Sequence, residues 1–370
     1  MGEIPTLSVL MPVHNAERYL HQSLASALRQ TFSDLEVVCV DDGSTDGSLA
    51  ILRAHAAEDP RIRIIVQQNQ GTLHARILAA RAARGEFLLY LDADDALERD
   101  IAQKTIAKAR ETGVDAVEFG VRMRSCGALF LRKLRWAYPA KELLGQIIHK
   151  PQILTRAVFN ESNFLIYSRL IRRTTFLKAL ANVPPEVLAQ RIIYSEDMLL
   201  YLTFARHARA IVAIGGGGYR YLRRIQSVTH TFPVQFAAFF QKIENECQTA
   251  HAVCGLLPSE LRRPWVKFRM GEIAALLIGN NFDELQNAEI FRFLWEILQK
   301  WDQDPADREE TLKVLVQNMH RICRQKRRSR RWKRQFVQRC RALARGISCN
   351  FIGKLAKFFR FLVQKLRNHS

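Results

Sequence analysis

Asp92, Ala93, Asp94 and Asp95 follow directly on the apolar run Phe87-Leu88-Leu89-Tyr90-Leu91. The run reads as a buried strand, so the acids fall at its carboxyl end. In an open parallel sheet that edge is where loops and helix ends converge and ligands bind. Three carboxylates this close repel one another unless a cation lies between them. A hard divalent ion, Mn²⁺ or Mg²⁺, suits all-oxygen ligands and shares them with a substrate diphosphate. Taken alone, Asp94 or Asp95 could instead cap a helix beginning near Leu97.

Three further stretches leave strand-like runs in the same way. Pro12-Val13-His14-Asn15-Ala16-Glu17 leaves a first, Val40-Asp41-Asp42-Gly43-Ser44-Thr45-Asp46-Gly47 a second, and Asn69-Gln70-Gly71 followed by Ala75-Arg76 a third. Each has a plainer reading. Asp41 to Gly47 has the residues of an ordinary turn, Asp46 could cap the next helix, Pro12 could end a strand, and Arg76 could be solvated. On one rim of a doubly wound sheet, however, all four loops would meet in one cleft. A fifth stretch, Ser195-Glu196-Asp197, offers a carboxylate that could take a proton from a hydroxyl. It also reads as a serine cap followed by two acids that favour a helix start.

The elements needed to position these residues alternate in the sequence. Strands are predicted at Leu7–Val13, Leu35–Val40, Ile62–Val66, Phe87–Leu91 and Ala116–Phe119, with helices over Ala16–Arg29, Ser48 to Glu58, Thr72–Ala83 and Ile101–Glu111 between them. Short apolar runs separated by helices indicate parallel strands covered on both faces and joined by right-handed crossovers. The fold class is α/β, a doubly wound, mostly parallel sheet. From Val121 to Thr231 the alternation weakens, with a hairpin suggested around Arg122–Arg135, a helix from Glu196 and a flexible joint at Gly215–Gly218. Residues 232–320 read as helical, a mainly helical carboxyl-terminal extension. The divisions expected are 1–120; 121–231, the second half of the same domain; 232–320; and a tail, 321–370.

In order and spacing, PVHNAERYL, VDDGSTDGS, NQG and GEFLLYLDADD resemble the family 2 glycosyltransferases, which have the GT-A fold and use nucleotide-sugars. The resemblance extends from about Thr6 to His230. It implies that Pro12, Asn15, Glu17 and Asp42 line the nucleoside pocket, with Asp42 on the base. Gly71 and Arg76 would face the donor. Asp92, Ala93 and Asp94 would form the DxD motif, Asp94 being the direct metal ligand. His14 stands where the family usually has Tyr. Glu196 and Asp197 match the family's acidic pair, Asp197 falling on the catalytic base. Tyr219 to His230 resembles the segment that closes the donor site in non-processive members, with Arg224 reaching the diphosphate and His230 the metal. No QxxRW is present, so one transfer per binding event is expected. The reaction implied is inverting transfer from a UDP-sugar to a saccharide or lipid-linked acceptor in cell-envelope polysaccharide or lipopolysaccharide synthesis.

Other chemistries fit less well. A nucleotidyltransferase needs a Gly-rich, Lys-bearing loop after the first strand, and an NAD-dependent oxidoreductase needs GxGxxG there; neither follows Val13. A non-catalytic adaptor binding membrane or nucleic acid would keep the fold but has no need of Asp42, Asp92, Asp94 and Asp197.

The chain's 370 residues exceed one usual core. Its seven cysteines, Cys39, Cys126, Cys247, Cys254, Cys323, Cys340 and Cys349, form no CxxC pair, which points to reduced thiols. No basic-then-apolar leader precedes Leu7, and no run reaches the ~20 apolar residues of a spanning helix. The net charge of +20 is concentrated at one end. From Arg321 onward there are seventeen Lys or Arg and no Asp or Glu, leaving thirty-nine basic against thirty-six acidic side chains before it, only +3. Phe351, Leu355, Phe358, Phe359, Leu362 and Leu366 share one side of a helix, with Lys354, Lys357, Arg360 and Arg367 around the rest and Phe361 misplaced. That pattern suits an anionic membrane surface better than nucleic acid. The expected location is cytoplasmic, peripheral on the inner face of the membrane.

Overall fold

Leu7–Val13 forms β1, and all seven of its residues are buried. In this computed structural model the described residues are 4–125, 136–137, 143–158, 164–189, 192, 195–223 and 236–278. β2 (Leu35–Asp42) is likewise buried throughout. β3 (Ile62–Gln67) and β4 (Phe87–Tyr90) complete the first four strands. Between them run α1 (Glu17–Leu28), α2 (Ser48–Glu58) and α3 (Thr72–Ala82). Helix α1 turns Leu20, Ser23, Leu24 and Ala27 inward, the three-to-four spacing of a one-sided helix. Removing each large apolar side chain from water contributes about 1.5–3 kcal/mol, which is what commits these runs to the interior.

The order β3-β2-β1-β4 is parallel throughout. Strand order reverses at β1, so the loops leaving β1 and β4 diverge and open a crevice at the carboxyl edge.

Beyond β4 the sheet is mixed. β5 (Ala96–Leu97), α4 (Ile101–Thr112), β6 (Ala116–Ser125), β7 (Trp136–Ala137), β8 (Ile147–His149) and α5 (Gln152–Val158) lead to β9 (Arg169–Arg172). β9 lies between β4 and β6 and runs antiparallel to both. Then come α6 (Arg173–Leu180), α7 (Pro185–Leu188), α8 (Glu196–His207) and β10 (Ala210–Arg223). β10 pairs parallel with β6 and antiparallel with β5 and β8. The α/β class is as expected, but parallel pairing dominates only the first half. β9 enters from the rim where β4 ends, and that entry obliges it to run the other way.

Gly215–Gly218 is not a joint but part of β10, where the register with β6 shifts. Gly218 is required by packing: a Cβ there would collide with Ile101 and Phe119.

Helices α9 (Phe236–Leu256) and α10 (Ser259–Ile278) follow. The chain divides into two compact units, Met1–Thr231 with Gln248–Pro264, and Phe232–Cys247 with Trp265–Ser370. Within the second unit Arg269 pairs with Glu246 and lies 5.8 Å over the buried Trp265 ring. Among the described residues no helix is long and apolar enough to cross a membrane. Cys39 and Cys247 are buried thiols outside any disulfide, and burial pushes each up to about 12, so neither is a ready nucleophile.

Candidate active site

The loops leaving β1 and β2 are laced together. Asn15 adopts φ 49°, a left-handed conformation that its short amide side chain tolerates. Its Oδ1 accepts the Thr45 N–H at 2.8 Å, and its own N–H donates to Ser44 Oγ at 3.1 Å. Ala16 N–H donates to Ser48 Oγ at 2.8 Å, Glu17 N–H to Asp46 Oδ2 at 3.1 Å, and Gly47 N–H to Glu17 Oε2. Asp46 therefore braces the first loop as well as the start of α2, where it accepts Ser48 N–H at 3.0 Å. Asn15 and Glu17 hold this loop junction.

Asp42 ties in the third loop. Its Oδ1 accepts Gln67 Nε2 at 2.6 Å and Gln70 N–H at 2.8 Å, and its Oδ2 accepts Gly71 N–H at 2.9 Å. Gly71 makes this turn at φ 94°, a region open to glycine. His14 is exposed above the junction. Its Nδ1–H donates to the Asp42 carbonyl at 2.9 Å, and the Asn69 amide nitrogen lies 3.3 Å from Nε2. Pro12 is buried within β1.

Arg76, on α3, is where the acids of the site converge. Its side chain is only 3% exposed. Nη2 donates to Asp92 Oδ1 at 2.8 Å, while Nη1 donates to Glu196 Oε1 at 3.2 Å and also to Asp197 Oδ1. Burial works against the guanidinium charge, but Asp92 and Glu196 outweigh it and hold the pKa above its ordinary value. One cation thus gathers acids from β4 and α8 that lie more than a hundred positions apart. The Nε of Arg76 is buried without a hydrogen-bond partner.

α8 starts at Glu196 without a side-chain cap. Ser195 sits at φ 61° and makes no capping hydrogen bond, although its carbonyl accepts from Met198 N–H at 3.1 Å. A serine in that region is strained by about 1–2 kcal/mol. Tyr201, one turn beyond Asp197, lies under the Arg169 guanidinium at 3.7 Å. Arg169 in turn pairs with buried Glu118 at 2.7 Å, so β9 and β6 anchor the helix that presents Asp197.

The Asp92–Asp95 turn is held from two sides. Below it, Ser23 Oγ lies 2.8 Å from the Ala93 carbonyl and 2.7 Å from that of Asp95. Above it, Tyr219 of β10 accepts the Asp92 N–H at 3.1 Å and donates its hydroxyl to Asp95 Oδ2 at 2.8 Å. Tyr167 stacks on Tyr219 at 4.5 Å. Burial, with Asp95 and Asp92 close by, raises the Tyr219 hydroxyl well above its ordinary pKa, so it stays a donor. Asp94 is half-buried between these acids in sequence.

Residues 8–180 match the family model for glycosyl transferase family 2. Through this segment, just under half of the chain, the sequence is similar to glycosyl transferase family 2. The transferase domain is 29% identical over 229 residues to the uncharacterized glycosyltransferase EpsJ of Bacillus subtilis, covering 61% of this chain and 63% of that protein. It is 42% identical over 111 residues to the chondroitin synthase of Escherichia coli, 30% of this chain and 16% of that one. The chain therefore spans less than two thirds of either relative. The crystal structure of S. aureus TarS 1-349 in complex with UDP-GlcNAc superposes with a TM-score of 0.52 at 16% identity, over 85% of this chain and 89% of that one, a likeness of fold.

Of the residues singled out in the sequence, the transferase domain brings Arg76, Asp92, Glu196 and Asp197 into direct contact and joins His14, Asn15, Asp42 and Gly71 in the neighbouring loop junction. Arg224, His230 and the basic tail lie outside the described residues. Asp95 entered the sequence reading only as a member of the acid cluster and Tyr219 only as the start of the segment to His230, while Tyr167 and Ser23 were not predicted, since which face meets the acid turn depends on the pairing of β10.

Asp92 and Asp94 are the residues that would hold a divalent ion. Their donors are carboxylate oxygens, which suit Mg²⁺ or Mn²⁺. Among the described residues no group of three or more His, Cys, Asp or Glu is arranged to hold a metal. An ion here would need additional oxygens, as a diphosphate provides.

Proposed function

We propose that the domain transfers a sugar from a nucleotide-sugar, a UDP-sugar, to the hydroxyl of a saccharide or lipid-linked acceptor in cell-envelope polysaccharide synthesis, with inversion at the anomeric carbon. The observation carrying this reading is the sharing of Arg76 among Asp92, Glu196 and Asp197. The family, the synthesis of a polysaccharide named for a relative from Escherichia coli, and the UDP-GlcNAc bound by TarS all support it.

The chemistry follows from the placement of charges. The buried Nε–H of Arg76 has no acceptor, and a diphosphate oxygen would provide one. The Asp197 carboxylate takes the acceptor's hydroxyl proton. The acceptor oxygen then bonds to the anomeric carbon from the face opposite the nucleotide, and the bond from that carbon to the diphosphate oxygen breaks. Arg76 stands where charge develops on the departing nucleoside diphosphate, a preorganised form of stabilisation. A divalent ion held by Asp92 and Asp94 would offset the same charge. His14, Asn15 and Asp42 fix the loops that border the nucleoside. The basic tail would keep the domain on the anionic inner face of the membrane, near a lipid-linked acceptor.

A nucleotide-sugar hydrolysis screen with Mn²⁺, repeated with chelator, tests the reading. Turnover of one class of donor, lost on chelation, is expected. No hydrolysis and no transfer with any donor would overturn it.

A further inference from the structure

We propose that Tyr219 is a positioning residue that, together with Asp95, sets the backbone of the Asp92–Asp95 turn for donor binding. This inference rests on the transferase reading above. It goes beyond it in assigning the job to β10, which β9 and β6 separate from β4 in the strand order.

The geometry is specific to one hydroxyl. Tyr219 is fully buried and meets the turn twice, accepting from the Asp92 backbone N–H and donating to the Asp95 carboxylate. The turn also closes on itself through Asp95 N–H to the Asp92 carbonyl at 3.0 Å. Immediately after it, Leu97 of β5 pairs with Tyr219 across the antiparallel β10–β5 ladder. One residue of β10 therefore fixes the acid turn at its first residue, its last residue and its exit. Tyr167 stacks on the ring at 4.5 Å, so packing as well as hydrogen bonding holds the hydroxyl in place. Since Asp92 also pairs with Arg76, a shift of its backbone would be felt at the guanidinium that Asp197 shares.

A hydrogen bond to a charged partner in a buried site is strong enough for its loss to read out at about tenfold or more. Tyr219→Phe keeps the ring and its stacking and removes only the hydroxyl. In the full-length protein without ligand, amide hydrogen exchange across residues 92–95 should rise at least about tenfold, with exchange in β1–β3 unchanged. In transfer assays the same variant should raise the KM for nucleotide-sugar more than it lowers kcat. Unchanged exchange across 92–95, or an equal rise throughout the domain, would overturn the inference. If Tyr219→Phe does not fold, Asp95→Asn serves, because its weaker amide acceptor should give a smaller rise in the same amides; no rise there overturns the inference too. The exchange experiment needs no substrate. A wild-type protein that processes no nucleotide-sugar would therefore count against the proposed function while the exchange result still decides the role of Tyr219.

Discussion

Arg76 Nη2 lies 2.8 Å from Asp92 Oδ1, joining the middle of α3 to the acid turn that leaves β4. The same guanidinium reaches Glu196 and Asp197 at the start of α8. Removing one partner from a buried ionic cluster costs about 3–5 kcal/mol, because the remaining charges lose their compensation. Asp92 and Asp197 keep 23% and 20% of their side-chain exposure, which places the effect toward the lower end of that range. Arg76→Met should lower stability by about 3 kcal/mol in urea denaturation and abolish nucleotide-sugar binding in calorimetry. Unchanged stability together with unchanged binding would remove Arg76 from the centre of the site.

Asp92→Asn and Asp94→Asn should each abolish transfer while leaving the fold intact by circular dichroism. Both substitutions keep the size of the side chain and remove the charge that would hold a divalent ion. If chelator leaves wild-type turnover intact, the ion has no part in the reaction.

Two buried carboxylates predict how stability depends on pH. Burial alone would raise the Glu36 pKa, but the Arg84 N–H, Ser8, Arg63 and the Arg84 charge hold it below its ordinary value. Burial likewise opposes Asp115, where the Arg209 N–H, Thr175 and the Arg209 charge win and lower it. A carboxylate depressed in the folded state gives stability that is fully present above its unfolded pKa and lost as pH falls through its folded pKa. The thermal midpoint should therefore hold near neutrality and fall as pH drops from about 5 towards 3. Glu36→Gln and Asp115→Asn should flatten that slope while lowering the midpoint at pH 7. A slope as steep as the wild type's in both variants would contradict the assignment.

Deleting residues from Arg321 onward should move the protein from the membrane fraction to the soluble fraction, since each cation near an anionic surface adds about 1 kcal/mol. Partitioning unchanged by the deletion would discard the membrane partner.

Much of this organisation was legible in the sequence, for a physical reason. β1 was expected at Leu7–Val13 and lies there, and β2, β3 and β4 differ from expectation by two residues or fewer at their ends. Strands buried on both faces must be apolar runs, and such runs stand out between amphipathic helices. β9 was missed because Arg169-Leu170-Ile171-Arg172 looks polar at both ends. Arg169 becomes a core residue only by pairing with Glu118 some fifty positions away, which no local pattern records. Gly215–Gly218 looked like a joint because glycine usually loosens a chain, whereas here it admits Ile101 and Phe119 to the strand. The acids of the site could be picked out by type and order. Their common dependence on Arg76, and the clamp that Tyr219 places on Asp95, are products of tertiary pairing.

Asp197 is the group assigned to take the acceptor's proton, so its amide variant tests the account most directly. With the donor that the screen identifies, calorimetry and transfer kinetics should be run side by side on wild type and Asp197→Asn. Donor binding is expected to persist while kcat falls by about 10²–10⁴-fold, the usual contribution of a positioned base. Wild-type turnover in Asp197→Asn would contradict it.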